Sequence, residues 1–190
     1  MNRKNRTQDT GKRSGDALAE EAAALLEQAN IDKRNGLPER LFLCISSLIP
    51  IANVDLLILD GSGRLLLSYR EDAFFGAGWH IPGGCLRFGE TMLQRIHETA
   101  QLELGFDVRV CRDNPLAVRD VIREPLVGSV VPDARGHNLA VLYLCSLPPE
   151  AEASIETASG GKIRWFGRIP EDILPVHAVY DDVFIQYGWK

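Results

Sequence analysis

The chain has 190 residues, of which 45% are hydrophobic and 25% are charged, and its formal net charge is −5 at pH 7. This composition is ordinary for a soluble globular protein, and the length suffices for one domain with a sizeable core. The acidic balance argues against a general nucleic-acid or membrane-surface binder, whose footprint would be basic, but it permits a small phosphorylated substrate that needs only a few local cations.

The cysteines are too far apart in the chain to form a CxxC pair. They are Cys44, Cys85, Cys111 and Cys145. Their spacing argues against a structural zinc site and against a dense disulfide framework. We therefore expect free thiols and a cytoplasmic location. No apolar run approaches the length of about 18 residues that a transmembrane helix requires, so no membrane span is predicted.

The N-terminal part of the chain is predicted to be helical after a polar start. Residues 1–15 carry several Lys and Arg and almost nothing apolar, which predicts a disordered basic tail. Residues 16–30 (DALAEEAAALLEQAN) are rich in strong helix formers, and they predict a helix within an N-terminal extension, residues 16–38. A second short helix is predicted between Pro38 and Pro50.

After Pro50 the pattern changes to strands, and residues 39–190 are assigned to one domain. The predicted strands are IANVDLLILD, RLLLSYR, FDVRVCR, VRDVI, NLAVLYLCSL and KIRWFG. The segment EDAFFGAGWHIPGG is predicted to be a loop, PEDIL a short helical turn, and HAVYDDVFIQYGW a C-terminal helix. Together these elements predict an α+β fold, an α/β sandwich in which a mixed β-sheet is packed between helices.

A helix predicted at Glu90–Leu104 carries three candidate site residues. At about 100° per residue, four apolar residues share its buried face: Met92, Leu93, Ile96 and Ala100. Glu103 falls on the same face, where an ionised carboxylate is costly unless it is paired. Mg²⁺ is one candidate partner; an Arg partner or fraying of the last turn is the alternative. Glu90, in the first turn, suits a capping role, and Glu98 is predicted to be solvated.

The stretch GGCLRFGETMLQRIHETAQLELGF, with its flexible Gly83–Gly84 start, resembles the Nudix hydrolase motif G-x5-E-x7-R-E-U-x-E-E-x-G-U, where U is bulky and aliphatic. The positions that match this motif are Gly84, Glu90, Glu103, Gly105 and Phe106. The preceding WHIPGG is similar to that family's lead-in. The sequence departs from the motif at Glu98, which stands at the Arg, and at Thr99 and Leu102, which stand at two glutamates that usually ligate metal.

One branch of that family, the GDP-mannose mannosyl hydrolases, lacks the same two glutamates, and the resemblance to this branch covers roughly residues 39–187. The resemblance implies a single Mg²⁺ held by a backbone carbonyl of Gly83 and by the Glu103 carboxylate. It also implies that Arg70 helps the diphosphate to leave and that Asp55 lies near the guanosine and sugar. A carboxylate within the apolar run VDLLIL independently suggests a ligand or a partner.

The general base has no direct match, because the branch carries it as a His on a loop that here reads TASGGK. Any of the four histidines could act as a base near neutral pH, and Glu98 is a further candidate to activate water; the histidines are His80, His97, His137 and His177. His137, which precedes the strand NLAVLYL, is taken as the catalytic candidate alongside Arg70.

The sequence therefore predicts a Mg²⁺-dependent hydrolase of a nucleoside diphosphate sugar such as GDP-mannose. Its expected partners are this small molecule and a second copy in a homodimer, with neither nucleic acid nor a membrane. Two alternatives remain open: a Nudix-fold nucleotide-binding module with weak or no turnover, and a hydrolase that cleaves the phosphoanhydride of a nucleoside diphosphate-X compound. The last is disfavoured because that chemistry usually uses the glutamates that are Thr99 and Leu102 here.

Overall fold

The computed structural model describes residues 14–123 and 136–190, which fall into two compact units that divide between Lys33 and Arg34. The first unit contains α1 (Gly15–Gln28), none of whose residues is buried. Residues 1–13 of the predicted disordered tail lie outside the described residues. Ser14 and Gly15, which the sequence assigned to the disordered tail, belong to α1 and its cap instead. Gly15 is the first residue of the helix, and the Ser14 hydroxyl caps it by accepting a hydrogen bond from the Ala17 amide at 3.3 Å.

The described part of the second unit contains eight strands, four α-helices and a 3-10 helix. The helices are α2 (Glu39–Ser46), α3 (Met92–Leu104), α4 (Pro149–Ala158) and α5 (Asp181–Gln186), and the 3-10 helix is Pro175–Tyr180. The strands are β1 (Ile51–Ile58), β2 (Leu65–Asp72), β3 (Gly76–His80), β4 (Gly83–Cys85), β5 (Arg109–Val110), β6 (Ala117–Ile122), β7 (His137–Ser146) and β8 (Ile163–Phe166). No described helix is both long and apolar enough to span a bilayer.

The strands form two sheets rather than the single sheet that the sequence predicts. The first is mixed, in the order β4-β1-β7-β5 with β6 also paired to β7, and β1 and β7 run parallel. The second is antiparallel, in the order β3-β2-β8. The turn after β1 carries the chain from one sheet to the other, and an isolated bridge between Leu59 and Leu65 joins them. The predicted α+β class is confirmed.

Both faces of the first sheet are buried along the second half of β1, as its continuous apolar run indicates. Val54 and Leu56 pack in a core cluster that includes residues of α3 and α4. Leu57 belongs to a second cluster, which includes Tyr180 and residues of α5. Because successive strand residues face opposite sides, Asp55 is placed on the Tyr180 side of the sheet.

Two strand pairings that the sequence did not predict position the site. The segment expected to be a loop contains β3 and β4, because the backbones of β2 and β1 require hydrogen-bonding partners there. The β2–β3 register places Ser68 opposite His80, and the β1–β4 register places Asp55 opposite Gly83. The pairings thus bring together residues that are distant in the chain.

Helix α3 begins after Thr91 rather than at Glu90, because Thr91 and Gln94 form a reciprocal cap. The Thr91 hydroxyl accepts from the Gln94 amide at 3.2 Å, and the Gln94 side chain accepts from the Thr91 amide at 2.8 Å. The helix ends at Gly105, whose φ of 74° requires the left-handed conformation that glycine adopts freely. This cap leaves Glu90 available for another contact.

The buried face of α3 is confirmed at Ile96 and Ala100, whereas Met92 is half-buried. The prediction is wrong for Leu93, whose residue surface is 53% exposed. The buried arc is completed by other residues of the helix: Arg95, Thr99 and Leu104.

Candidate active site

Glu103 lies in the last turn of α3, and only 21% of its side-chain surface is exposed. The Gly83 amide donates to its Oε1 at 3.3 Å, and the Ser68 hydroxyl donates to its Oε2 at 3.2 Å. Burial raises the pKa of Glu103 to about 7, aided by the charge of Asp55 and opposed by the contacts from Gly83, Arg70 and Ser68. The carboxyl group therefore lacks strong charge compensation in this environment.

His80 is buried at the end of β3 and lies between Glu103 and Ser68. Its Nδ1 is 2.9 Å from the Ile81 carbonyl, which can only accept, so Nδ1 carries the proton. Its Nε2 is 3.5 Å from Glu103 Oε2 and 2.8 Å from the Ser68 hydroxyl, which can donate its one proton either to this nitrogen or to Glu103. Burial and the charge of Arg70 lower the pKa of His80 to about 4. At pH 7 the imidazole is neutral, and Nε2 presents a lone pair.

Asp55 is buried in β1 and has two hydrogen-bond donors. The Tyr180 hydroxyl donates to Oδ2 at 2.6 Å, and the Asn53 amide group donates to Oδ1 at 2.7 Å. Burial raises the pKa of Asp55 to about 6 despite these two bonds. A Cβ at Gly83 would collide with Asp55 Oδ1, so glycine is required where the strands β1 and β4 approach each other.

Two adjoining clefts share Arg70 and His80. The Asp55 cleft and the solvent at its mouth have an empty volume of about 650 Å³, and its polar lining also includes Asn53, Asp55, Asn138, His177 and Tyr180. The Glu103 cleft and the solvent at its mouth have an empty volume of about 1210 Å³, and its polar lining also includes Ser68, Glu103, Ser159 and Lys162. The guanidinium of Arg70 pairs with Asp72 at 2.7 Å and lies 5.3 Å from the ring centroid of Phe75. This places a cation where the two clefts meet.

His177 lies at the back of the Asp55 cleft and is buried. Its Nε2 accepts a hydrogen bond from the Ile81 amide at 3.2 Å, so the proton of the neutral ring is on Nδ1. Burial, together with the neighbouring His80 and Arg70, lowers the pKa of His177 to about 3. Its ring stacks on His80 with the two centroids 6.3 Å apart.

The structure does not bring His137 to either cleft, which corrects its assignment as the base. Its Nε2 lies 2.9 Å from Asp120 Oδ1, and it lines neither of the two clefts. The next residue of β7, Asn138, lines the Asp55 cleft instead. Alternation along the strand explains this difference, because consecutive side chains face opposite sides of a sheet.

Glu90 and Glu98 also lie outside the two clefts. Arg95, whose side chain is only 3% exposed, contacts Glu90 through Nε and Nη2, and the Arg87 amide donates to Glu90 at 2.8 Å. Burial favours the neutral acid, but the contacts from Arg95 and Arg87 outweigh it and lower the pKa of Glu90. Glu90 thus holds the loop before α3, while Thr91 provides the cap. Glu98 is exposed, as predicted.

The two motif positions that depart from glutamate have different environments. Thr99 is buried, and a Cβ at Gly84 would come within 2.5 Å of its hydroxyl oxygen. Leu102 is 67% exposed. Thr99 therefore supports the close approach of Gly84, whereas Leu102 faces solvent.

The oxygen donors around Gly83 fit a hard divalent cation. Glu103 and Asp55 both contact Gly83, and both have pKa values raised by burial, which a bound cation would reverse. Within residues 14–123 and 136–190, no three His, Cys, Asp or Glu side chains form a metal cluster. One or two carboxylates completed by backbone and non-protein oxygens is the donor set typical of Mg²⁺.

Several residues at the site had not been singled out from the sequence: Asn53, Ser68, Asn138 and Tyr180. Asn53 could have been found, because it precedes Asp55 by two residues and so shares its face of β1. For Ser68 and Tyr180 there was no local signal, since their contacts with Glu103 and Asp55 span 35 and 125 residues.

No protein-family model matches the chain. Over 74 residues the chain is 32% identical to the low-salt glycan biosynthesis protein Agl8 of Haloferax volcanii, a match that covers 39% of this chain and 47% of that protein. The chain thus spans about half the length of the curated relative that it matches.

Solved structures show where the fold recurs. A possible asymmetric diadenosine tetraphosphate hydrolase of Jonesia denitrificans is similar with a TM-score of 0.53 and 16% identity, over 75% of this chain and 98% of that one. A Nudix hydrolase of Nitrosomonas europaea gives a TM-score of 0.49 and 19% identity, over 73% of this chain and 70% of that one. The chain shares the fold of the Jonesia denitrificans structure across three quarters of its length.

Proposed function

We propose that the chain is a Mg²⁺-dependent Nudix hydrolase that converts a nucleoside diphosphate sugar, such as GDP-mannose, to nucleoside diphosphate and sugar. The observation that carries the proposal is the buried carboxyl of Glu103, which contacts Gly83 in a cleft that Arg70 also lines. Among the described residues, no Lys or Arg forms an ion pair with Glu103. The motif resemblance of Gly83–Phe106 and the shared fold also support the proposal, as does a relative in glycan biosynthesis, which suits a sugar-containing substrate.

Glu103 and the backbone carbonyl of Gly83 would hold the Mg²⁺. When bound, the ion would supply charge neutralisation for the departing diphosphate. Asp55 lies on the other side of Gly83, within the Asp55 cleft, where it can accept hydrogen bonds from the substrate. The diphosphate is proposed to lie at the junction of the two clefts.

Arg70 is the cation that both clefts share, and it is proposed to contact the diphosphate. The negative charge on the leaving oxygen grows as the bond to the sugar breaks. A charge-assisted hydrogen bond from the guanidinium therefore strengthens in the transition state and lowers the barrier.

His80 is proposed as the group that takes a proton from water, in place of His137. Its Nδ1–H is held by the Ile81 carbonyl, so Nε2 is the unprotonated nitrogen, and it can accept a proton from water when Ser68 donates to Glu103 instead. The low pKa of His80, about 4, describes the protein without substrate. An anionic diphosphate beside the ring favours imidazolium and acts to raise that pKa, against the opposing charge of a Mg²⁺ ion on Glu103.

The bond that breaks is proposed to be the carbon–oxygen bond at the sugar. Thr99 and Leu102 remove carboxylates that could hold further metal ions around an attacking water, and a diphosphate repels hydroxide. Attack at the anomeric carbon avoids that repulsion, because the diphosphate departs as a leaving group. The water oxygen then ends on the sugar and the former bridging oxygen stays on the diphosphate, so an isotope label in water distinguishes the two.

The test is incubation with GDP-mannose and Mg²⁺ in ¹⁸O-labelled water, followed by mass spectrometry of both products. The proposal predicts GDP without label and mannose with label. Label in a phosphate product would instead support phosphoanhydride cleavage. A thermal shift with GDP but no product from GDP-mannose would contradict hydrolysis and support a binding module.

A further inference from the structure

Asn138 is a buried polar residue of β7 whose side-chain oxygen has no hydrogen-bond partner among the residues that the structure describes. The residue is 9% exposed, and its Oδ1 accepts no hydrogen bond from any described residue. Buried side-chain oxygens are paired in the large majority of cases, so an unpaired one requires a physical account. Asn138 lines the Asp55 cleft, where a turn of its amide group would bring Oδ1 to a donor on a bound molecule.

The floor of this cleft offers hydrogen-bond acceptors. Asn53 and Asp55 share one face of β1, and Asn138 and Ala140 share one face of the adjacent β7. Two donors at the floor are engaged, because the Tyr180 hydroxyl and the Asn53 amide group both donate to Asp55. Asp55 and Asn138 retain the capacity to accept further hydrogen bonds. A ligand that carries N–H or O–H groups can use this capacity.

The remainder of the lining is largely apolar, and it encloses these acceptors. It includes Ile81, Val121, Ala140, Leu174, Val176 and Val179. An enclosed pair of acceptors discriminates strongly between ligands, because a ligand without matching donors leaves buried oxygens unpaired. The N–H groups of a guanine base and the hydroxyl groups of a sugar share the required chemistry.

We infer that Asn138 is a specificity-determining residue, whose Oδ1 accepts a hydrogen bond from an N–H or O–H donor of the substrate portion that enters the Asp55 cleft. This inference rests on the proposed function and identifies which substrate chemistry the site selects. The amide group turns about its Cβ–Cγ bond, a torsion with broad energy wells, so it can meet an incoming donor with little strain. Asp55 and Asn138 then recognise the substrate jointly.

The test measures the affinity of two probes, GDP and mannose 1-phosphate, by calorimetry in the presence of Mg²⁺. Asn138→Leu retains a similar volume but removes the acceptor. It is expected to weaken the binding of one probe about tenfold, the scale of a lost hydrogen bond to a buried group. Weaker binding of GDP assigns the donor to the base, and weaker binding of mannose 1-phosphate assigns it to the sugar. Changes below about twofold for both probes would overturn the inference.

Controls separate recognition from folding and from failure of the proposed function. Without ligand, Asn138→Leu is expected to melt at or above the wild-type temperature, because the oxygen removed was unpaired. Asn138→Ala provides a second variant with the same expected loss of affinity. Asn114→Ala, at an exposed position in the connection between β5 and β6, should change neither affinity.

A lower melting temperature of Asn138→Leu with unchanged affinities would assign Asn138 a structural role and overturn the inference. If the wild type binds neither probe, the proposed function fails and the inference falls with it.

Discussion

Replacing His177 with Gln is expected to make the free energy of unfolding less sensitive to acid. The folded protein holds His177 neutral, with a pKa of about 3 because of burial and the neighbouring His80 and Arg70. The unfolded chain binds a proton at this residue with a pKa of about 6.5. The stability that depends on neutral His177 is therefore complete above pH 6.5 and is lost as the pH falls towards 3. Gln can accept the same hydrogen bond from Ile81 without titrating.

The magnitude follows from the two pKa values of His177. Between pH 7 and pH 5, its protonation in the unfolded chain is expected to lower the free energy of unfolding by about 2 kcal/mol. For a chain of this size, that loss corresponds to about 4–8 °C in Tm. The variant should lack this part of the acid-induced loss, so its stability relative to wild type should rise by about 2 kcal/mol as the pH is lowered.

The assay is urea unfolding and thermal melting of wild type and His177→Gln at both pH values. His97→Gln is the matched control, because His97 is a surface residue paired with the exposed Asp107. The control should lose stability in acid as the wild type does. If His177→Gln and wild type lost stability in parallel, within about 0.5 kcal/mol, the premise of a buried neutral His177 would be refuted.

Three further changes have defined outcomes. Arg95→Met is expected to lower the free energy of unfolding, measured in urea, by about 3 kcal/mol because it removes the buried guanidinium that pairs with Glu90. A double-mutant cycle with Glu90→Gln should show coupling above about 1 kcal/mol, and additive losses would contradict a shared ion pair. Trp189→Ala should lower the free energy of unfolding by about 3–5 kcal/mol, since Trp189 is 5% exposed and its Nε1 donates to the Gly63 carbonyl at 3.0 Å. A loss below about 1 kcal/mol would show that this contact is dispensable. Arg70→Ala should lower kcat more than it raises KM in steady-state assays, because the charge on the leaving group grows in the transition state, whereas a rise in KM alone would indicate ground-state binding.

The elements that the sequence predicted best are those with a strong local pattern. The apolar run of β1 and the helical periodicity of α3 identified both elements, and the same periodicity placed Glu103 towards the protein interior. The strands β3 and β4 were missed because their pairing with β2 and β1 depends on partners elsewhere in the chain. The division into two sheets has the same origin, since an apolar strand pattern does not specify which neighbour the strand joins.

The candidate site shows a similar limit at the scale of single residues. Alternation along β7 was available from the sequence, but the direction in which the strand faces was not. Once the structure sets that direction, Asn138 lines the cleft and His137 contacts Asp120. The environment of Asp55 likewise depends on Tyr180, which reaches it from a distant segment. Local pattern therefore identified the residue types, whereas the tertiary pairing selected which of them meet.

The central claim is that Glu103 anchors a Mg²⁺ site, and calorimetric titration with Mg²⁺ tests it most directly. Glu103→Gln retains the size of the side chain but removes its charge, whereas Glu98→Gln makes the same change at an exposed position of the same helix. We predict that Glu103→Gln weakens Mg²⁺ binding by about tenfold or more, with an unchanged fold by circular dichroism, and that Glu98→Gln binds as the wild type does. Equal Mg²⁺ affinities for wild type and Glu103→Gln would contradict the proposed metal site.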